Sequence, residues 1–398
     1  MWPARFPVVM ALGTAQTLAW ASSYYLPALL AAPMAAELGL PEVAVFAGFS
    51  LALLVSALCG PAAGRLIDRH GGRPVLMGTN LLFALALLGL ALAQGPWSMA
   101  LAWCLLGLAM GAGLYDAAFA ALVRLYGGSA RGAITGITLL AGLASTVGWP
   151  LTAWMLELGG WRVACAGWAL GHLLLGLPLN ASLPRLGPAA PVRQPDAEKP
   201  APAATAVPQA APGRTPLVLL AIVFAVAWFI STAMAAHLPR LLQDHGLGLG
   251  KALAVAALVG PAQVLARGAE FLWMRRVHPL RAAQLACVAH PLGALGLLAL
   301  GAPGAVLFAL LHGAGNGILT IAKGTLPLAL FGAQGYGARQ GWLMAPSRLA
   351  QAAAPFAFSS LMAWQGPTVA LVASSALGLL ALGALLWLQR WLTRTAGD

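Results

Sequence analysis

Long apolar stretches follow one another along this chain, and nothing else in it limits the fold as strongly. Twelve can be drawn, at roughly 6–32, 43–64, 74–94, 97–124, 132–158, 161–182, 216–239, 251–273, 280–301, 304–330, 338–363 and 367–389. One helical crossing of a bilayer takes about 20 apolar residues, and longer stretches tilt or extend past the hydrocarbon. The stretches lack period-2 alternation, which excludes a closed β-barrel. The chain is 60% hydrophobic and only 8% charged, where soluble domains are about 25% charged. These values predict an all-α integral membrane protein. The first stretch exceeds the roughly 7–15-residue core of a signal peptide and is expected to persist as the first helix.

Basic residues orient the spans. With the N-terminus inside, sixteen of the 22 Lys and Arg fall at one face, including Arg65, Arg69, Arg73, Arg124, Arg131, Arg275 and Arg276. Three fall at the other, Arg162, Arg240 and Lys251, and three lie within spans. The positive-inside rule then puts both termini in the cytoplasm. The same asymmetry accounts for a net charge of +12 without nucleic acid, and no basic stripe with interleaved aromatics is present. Residues 183–214, "LPRLGPAAPVRQPDAEKPAPAATAVPQAAPGR", are rich in Pro and Ala and poor in large apolar groups. Such a segment is expected to be an extended linker. It divides the chain into an N-terminal six-helix bundle (1–182) and a C-terminal one (215–398).

The halves echo each other. "GPAAGR" at 60–65 corresponds to "GPAQVLAR" at 260–267, and "GAGLYDAA" at 111–118 to "GAGNGILT" at 313–320. Each second motif precedes a loop with Gly and Arg, "GGSARG" or "GYGARQG". Shared order within each half indicates duplication. Repeated bundles about a pseudo-two-fold axis are a common build of secondary transporters, with substrate near the midplane.

Several chemistries have no residues to carry them. No G-x-x-x-x-G-K-[ST] loop suggests ATP drive. No paired carboxylates or Ser/His/Asp constellation suggests an enzyme, and no cofactor is implied. The four cysteines, Cys59, Cys104, Cys165 and Cys287, lie in apolar segments without the spacing of a zinc site or disulfide framework.

Between the second and third spans, "GRLIDRHGGR" resembles the loop signature G-x-L-x-D-R-x-G-[RK]-[RK] of the major facilitator superfamily. Gly64, Leu66, Asp68, Arg69, Gly71 and Arg73 match, and Gly72 replaces one basic residue. The resemblance implies twelve transmembrane helices in two pseudo-symmetric bundles, alternating access, a bacterial-type inner membrane and a monomer. It also implies a gating role for the motif: Asp68 would approach the N-terminus of the eleventh helix near Gly335–Arg339, where the positive dipole end favours an acid. The basic loop "MRRVHPLR" at 274–281 has no Asp for an equivalent latch. Within the superfamily, "GGWR" at the end of the fifth span and a lone Arg267 late in the eighth are similar to the bacterial monocarboxylate and oxalate/formate-like porters. There an eighth-span Arg is implicated in binding the substrate carboxylate, and an Asp four residues earlier assists proton coupling. Here Gln263 stands at that position. The fourth-span R-x-x-Q-G of drug/proton antiporters is absent from "WCLLGLAMGAG", and only "GWP" at 148–150 survives of their fifth-span motif.

A basic residue at the centre of a span costs about 2.5–3.5 kcal/mol on insertion scales. Arg348, Arg267 and Lys323 therefore need partners or a water-filled cavity. Two readings stand side by side. The three cations attract an anion, with Arg267 gripping a carboxylate in forked geometry; or Arg267 pairs with Glu270 and Lys323 snorkels to the interface. Asp116 is expected either to carry a proton or pair across the bundles with Lys323 or Arg348, or to hold the fourth helix to a neighbour. Tyr24, Tyr25 and Gln16 are expected to line the cavity, with an interfacial belt as the alternative for the tyrosines. Asn316, among Gly313, Gly315 and Gly317, either permits close packing or contacts ligand. His290 and His312 are read as hydrogen-bonded packing residues that titrate near neutral pH when solvated. The expected activity is proton-coupled transport of a small organic anion; the rival is efflux of a drug, siderophore or metalloid.

Overall fold

The computed structural model describes residues 5–126, 130–185, 214–272, 278–331 and 336–395, and among them every regular element is helical. In a bilayer each backbone polar group needs an internal partner, and a helix supplies these within one segment. Among the described residues, nine stretches are long and apolar enough to cross a membrane. One of them, Gly132–Ala181, spans 50 residues and bends at Gly159 and Gly160, so it supplies the fifth and sixth spans; Gly160 has φ +80°, which favours glycine. The first span is broken into Arg5–Ala21 and Pro27–Leu38. The eleventh, Tyr336–Gln365, has 30 residues but includes Arg348. With these, the twelve-helix architecture is complete. The linker from 186 to 213, residues 273–277 of the basic loop, and 332–335 lie outside the described residues, as does the Gly335 end of the expected Asp68 latch.

The first span runs beyond the expected 6–32 because the chain turns at 22–26 and resumes. Pro27 cannot donate its backbone nitrogen, and the break is closed by side chains. Ser23 Oγ donates to the Ala19 carbonyl (2.6 Å), and Ser22 Oγ lies 2.8 Å from His172 Nε2. His172, fully buried, sits in a π turn of the sixth span, His172–Gly176, and its Nδ1 meets Asn80 Oδ1 at 2.9 Å. The fourth span breaks similarly at Leu114, between Pro96–Gly113 and Tyr115–Tyr126. The Gly113 carbonyl freed there accepts from Gln16 Nε2 at 2.7 Å. Gln16, 1% exposed, thus ties the first span to the fourth instead of lining a cavity.

The sequence repeat reappears as repeated packing. Gly107 and Gly111 of the fourth span lie on the Ala52 and Ser56 backbone of the second. Gly313 and Gly317 of the tenth lie on Val259 and Gln263 of the eighth, Leu249–Ala257 continuing as Val259–Leu272. A methyl at either position would stand 2.7 Å from a carbonyl oxygen. Small residues here let the backbones approach, which is how helices associate where lipid offers no hydrophobic drive. Gly72, the departure from the loop signature, packs so closely on Ala121 that no Cβ fits. Arg124, at the end of the fourth span, donates to the Ile67 carbonyl (2.8 Å) and closes the end of the second.

Large apolar side chains point outward, among them Leu58, Leu92 and Leu265. Trp97 and Trp364, 87% and 80% exposed, sit at helix ends on the face opposite the termini, where an aromatic belt meets the membrane boundary.

Candidate functional site

Two of the seams between the halves carry an arginine. The second span packs on the eleventh, and the fifth on the eighth. The repeated "GPA" motifs occupy matching places there: Gly60 lies beside Arg348 of the eleventh span, and Gly260 beside Thr146 of the fifth. Thr146 Oγ1 donates across the second seam to the Ala257 carbonyl (2.8 Å).

In each of these two it belongs to the C-terminal half and reaches a backbone carbonyl of the N-terminal half. Arg267 Nη1 donates to the Thr138 carbonyl at 2.8 Å, and its Nη2 to Gln263 Oε1 at 3.2 Å. Arg267 is buried, 8% exposed, and its Nε has no partner among the described residues. Tyr115 and Tyr25 lie within its electrostatic reach. Arg348 Nη2 pairs with Asp116 Oδ2 at 3.1 Å, and its Nη1 lies 3.5 Å from the Ala57 carbonyl. This pair is accessible, with side-chain exposures of 40% for Arg348 and 70% for Asp116. Of the partners expected for Asp116, the structure therefore supplies Arg348. Lys323 lies over the Trp228 ring, 4.5 Å from its centroid, within electrostatic reach of Asp116 and Arg348. The ring face stabilises the ammonium as a cation–π contact.

Toward the face opposite the termini the cleft is sealed. Tyr24, 3% exposed, meets Thr232 Oγ1 of the seventh span at 2.5 Å and accepts from Gln351 Nε2 at 3.2 Å. Further out, Phe46 packs on His237 with centroids 4.0 Å apart, His237 Nε2 donates to the Pro355 carbonyl (3.1 Å), and Phe356 N donates to Ser50 Oγ (3.2 Å). Tyr24 is thus part of the seal between bundles. Tyr25 stacks edge-on against Tyr24 and Trp149 beside Gln263. Asn316 faces two adjoining clefts, one also lined by Trp228 and Lys323, the other by His290 and His312.

Tyr115, Trp228, Thr232 and Gln351 were not foreseen. Tyr115 directly precedes Asp116 and begins the helix after the fourth-span break, which is a usable signal. Trp228, Thr232 and Gln351 have none, because they become site residues only when the halves are apposed.

The chain matches the Major Facilitator Superfamily over residues 12–309. It belongs to that superfamily. A curated relative, "Uncharacterized 38 kDa protein in 23S RNA operon" of Thermoproteus tenax, is 37% identical over 153 residues. That match covers 38% of this chain, and the chain spans 40% of that relative's length. Among solved structures the fold is similar to the nucleoside transporter NupG (TM-score 0.75, 12% identity, 96% of this chain and 98% of that one). It is also similar to a peptide transporter POT in complex with sulfate (0.73, 16%, 97% and 94%) and to a POT family transporter in complex with 5-aminolevulinic acid (0.73, 13%, 96% and 95%). At these identities the likeness is one of fold. This superfamily member is a multi-pass membrane protein.

Proposed function

We propose that this protein moves a small organic anion of monocarboxylate type, together with a proton, by rocking of two bundles, 1–182 and 215–398, joined by the 183–214 linker. In this reading it lies in a bacterial-type inner membrane with both termini cytoplasmic, and works as a monomer.

The observation that carries the substrate class is Arg267. Its guanidinium is buried, its hydrogen bonds go to the uncharged oxygens of Thr138 and Gln263 with Tyr115 beside them, and its Nε is unpartnered among the described residues. A cation buried among neutral partners is costly, and an entering carboxylate relieves that cost. Arg348 and Lys323 add to the positive field, so an anion would be drawn along it. In the same reading Asp116 holds Arg348 when no substrate is present, and the two separate as the bundles move. Asp68, Arg69 and Arg73, with Gly64 and Gly71, serve the gate at the termini face.

Uptake of radiolabelled acetate, lactate and oxalate into proteoliposomes, with and without an inward proton gradient, tests this. Saturable uptake of at least one, enhanced by the gradient and lost in Arg267→Gln, is expected. Uptake of none, or uptake indifferent to Arg267→Gln, overturns the substrate class.

A further inference from the structure

The ninth and tenth spans, Pro279–Leu300 and Ala305–Phe331, hold two buried histidines that the transport reading does not use. His290 and His312 are 6% and 4% exposed, and both line a small, partly open cleft with Ser231, Cys287 and Asn316. Their Nδ1 atoms are 3.1 Å apart, and His290 Nε2 lies 3.0 Å from Ser374 Oγ of the twelfth span.

The hydrogen positions follow from the ends of this chain. Ser374 Oγ donates its one hydrogen to the Leu371 carbonyl at 2.9 Å, so toward His290 it accepts. His290 Nε2 therefore carries the hydrogen, and in the neutral ring Nδ1 is a bare acceptor. His312 Nδ1 must then be the donor, which leaves His312 Nε2 as a lone pair. Among the described residues that nitrogen has no hydrogen-bond partner, yet it is not enclosed as the orphaned buried atoms are. Phe308 packs against both rings, at 5.5 and 6.0 Å, and holds them.

We propose that His312, backed by His290 and Ser374, is a proton-loading site opening into the cleft of the C-terminal half. A proton from cleft water adds to His312 Nε2 and no other bond need break. The Nδ1 hydrogen shifts toward His290 to spread the charge. The pair takes up one proton, since two imidazolium rings at this distance repel. The chain ends on an occupied carbonyl, so the proton leaves as it entered: the site stores without conducting. Among the groups facing the pair, the ninth span offers Cys287, the tenth Lys323 about three turns on, the seventh Ser231 and the twelfth Ser374; neither adjoining cleft is lined by an acid among the described residues. An imidazolium within a span needs a counter-charge. An anion beside Asn316, one turn from His312, would supply it, and each would then favour the other's binding equally. Only this last step rests on the organic-anion reading.

The test needs no substrate. The chain has seven histidines; ¹⁵N-histidine NMR of the purified protein in detergent, assigned with His312→Gln and His290→Gln, reports tautomer and protonation from about pH 4 to 9. Expected are an Nδ1–H form of His312, an Nε2–H form of His290, and uptake of one proton by the pair. Cys287→Ala preserves that uptake, and Ser374→Ala releases His290 into mixed tautomers. Thermal melts establish that each variant is folded. Reversed tautomers, or a pair that takes up no proton across the range, overturns the proposal. Either result is independent of whether acetate, lactate or oxalate is carried.

Discussion

The two halves repeat one helical arrangement but bring opposite chemistry to the cleft between them. The N-terminal half presents rings, Tyr24, Tyr25, Tyr115 and Trp149, with one carboxylate at Asp116. The C-terminal half presents Arg267, Lys323 and Arg348. Even the matching "GPA" motifs diverge in what they touch. Gly60 faces an arginine from the other half, whereas Gly260 faces Thr146, and the nearby Arg267 reaches back across to Thr138. The two scaffolds pack alike, and side chains at the cleft that do not disturb helix packing are free to differ between them. Function could therefore diverge there while Gly107, Gly111, Gly313 and Gly317 kept the backbones close.

The largest break in this asymmetry is Arg348→Glu, which sets two acids against each other between the fourth and eleventh spans. Uptake should fall by about tenfold or more, tenfold being about 1.4 kcal/mol. If Arg348 acts mainly through pairing, combining Arg348→Asp with Asp116→Arg restores part of it; if Arg348 contacts substrate, the exchange restores none. Initial rates in proteoliposomes separate these cases.

Next in size is a test of the shared scaffold. Gly313→Leu forces a side chain into the Val259 backbone and should cost about 1–3 kcal/mol, read as a lower melting temperature. Gly383→Ala, where a methyl meets nothing within 4 Å, should stay within about 0.5 kcal/mol. Equal effects would mean that helix approach does not govern stability.

Tyr24→Phe removes the hydroxyl shared by Thr232 and Gln351. The loss should be about 1 kcal/mol, and it acts on the seal rather than on either bundle. Spin-label distances between the bundles on the face opposite the termini should lengthen, with stability nearly unchanged.

The smallest expected change is the stability of Asp116→Asn. The Asp116–Arg348 pair is accessible, and such pairs contribute below about 1 kcal/mol. Its melting temperature should match wild type even though Arg348 has lost its ionic partner. A large drop would show that the pair is structural.

Much of the fold was legible because membrane physics leaves few options. Apolar length, the placement of Lys and Arg and the repeated motifs specify twelve helices in two sixes. The breaks in the first and fourth spans were less visible, since Pro27 and the glycines near Leu114 signal a break only once a partner, Ser23 or Gln16, is seen to close it. Gln16 illustrates the limit: a polar residue in an apolar span demands a partner, but the sequence does not say whether that partner is a ligand or the Gly113 carbonyl. Arg267, Arg348, Lys323 and Asp116 were identifiable because a charge in a span is expensive and rare.

By itself, then, the sequence determined the helices, their number and the presence of charges that must be compensated, because these follow from local composition and the cost of polar groups in lipid. Only the tertiary structure decided which partner each charge took. That choice depends on contacts between residues 232 apart for Arg348 and Asp116 and 129 apart for Arg267 and Thr138. It also decided the line of contacts from Ser374 through His290 to His312, which exists only where three helices bring single atoms within hydrogen-bonding distance.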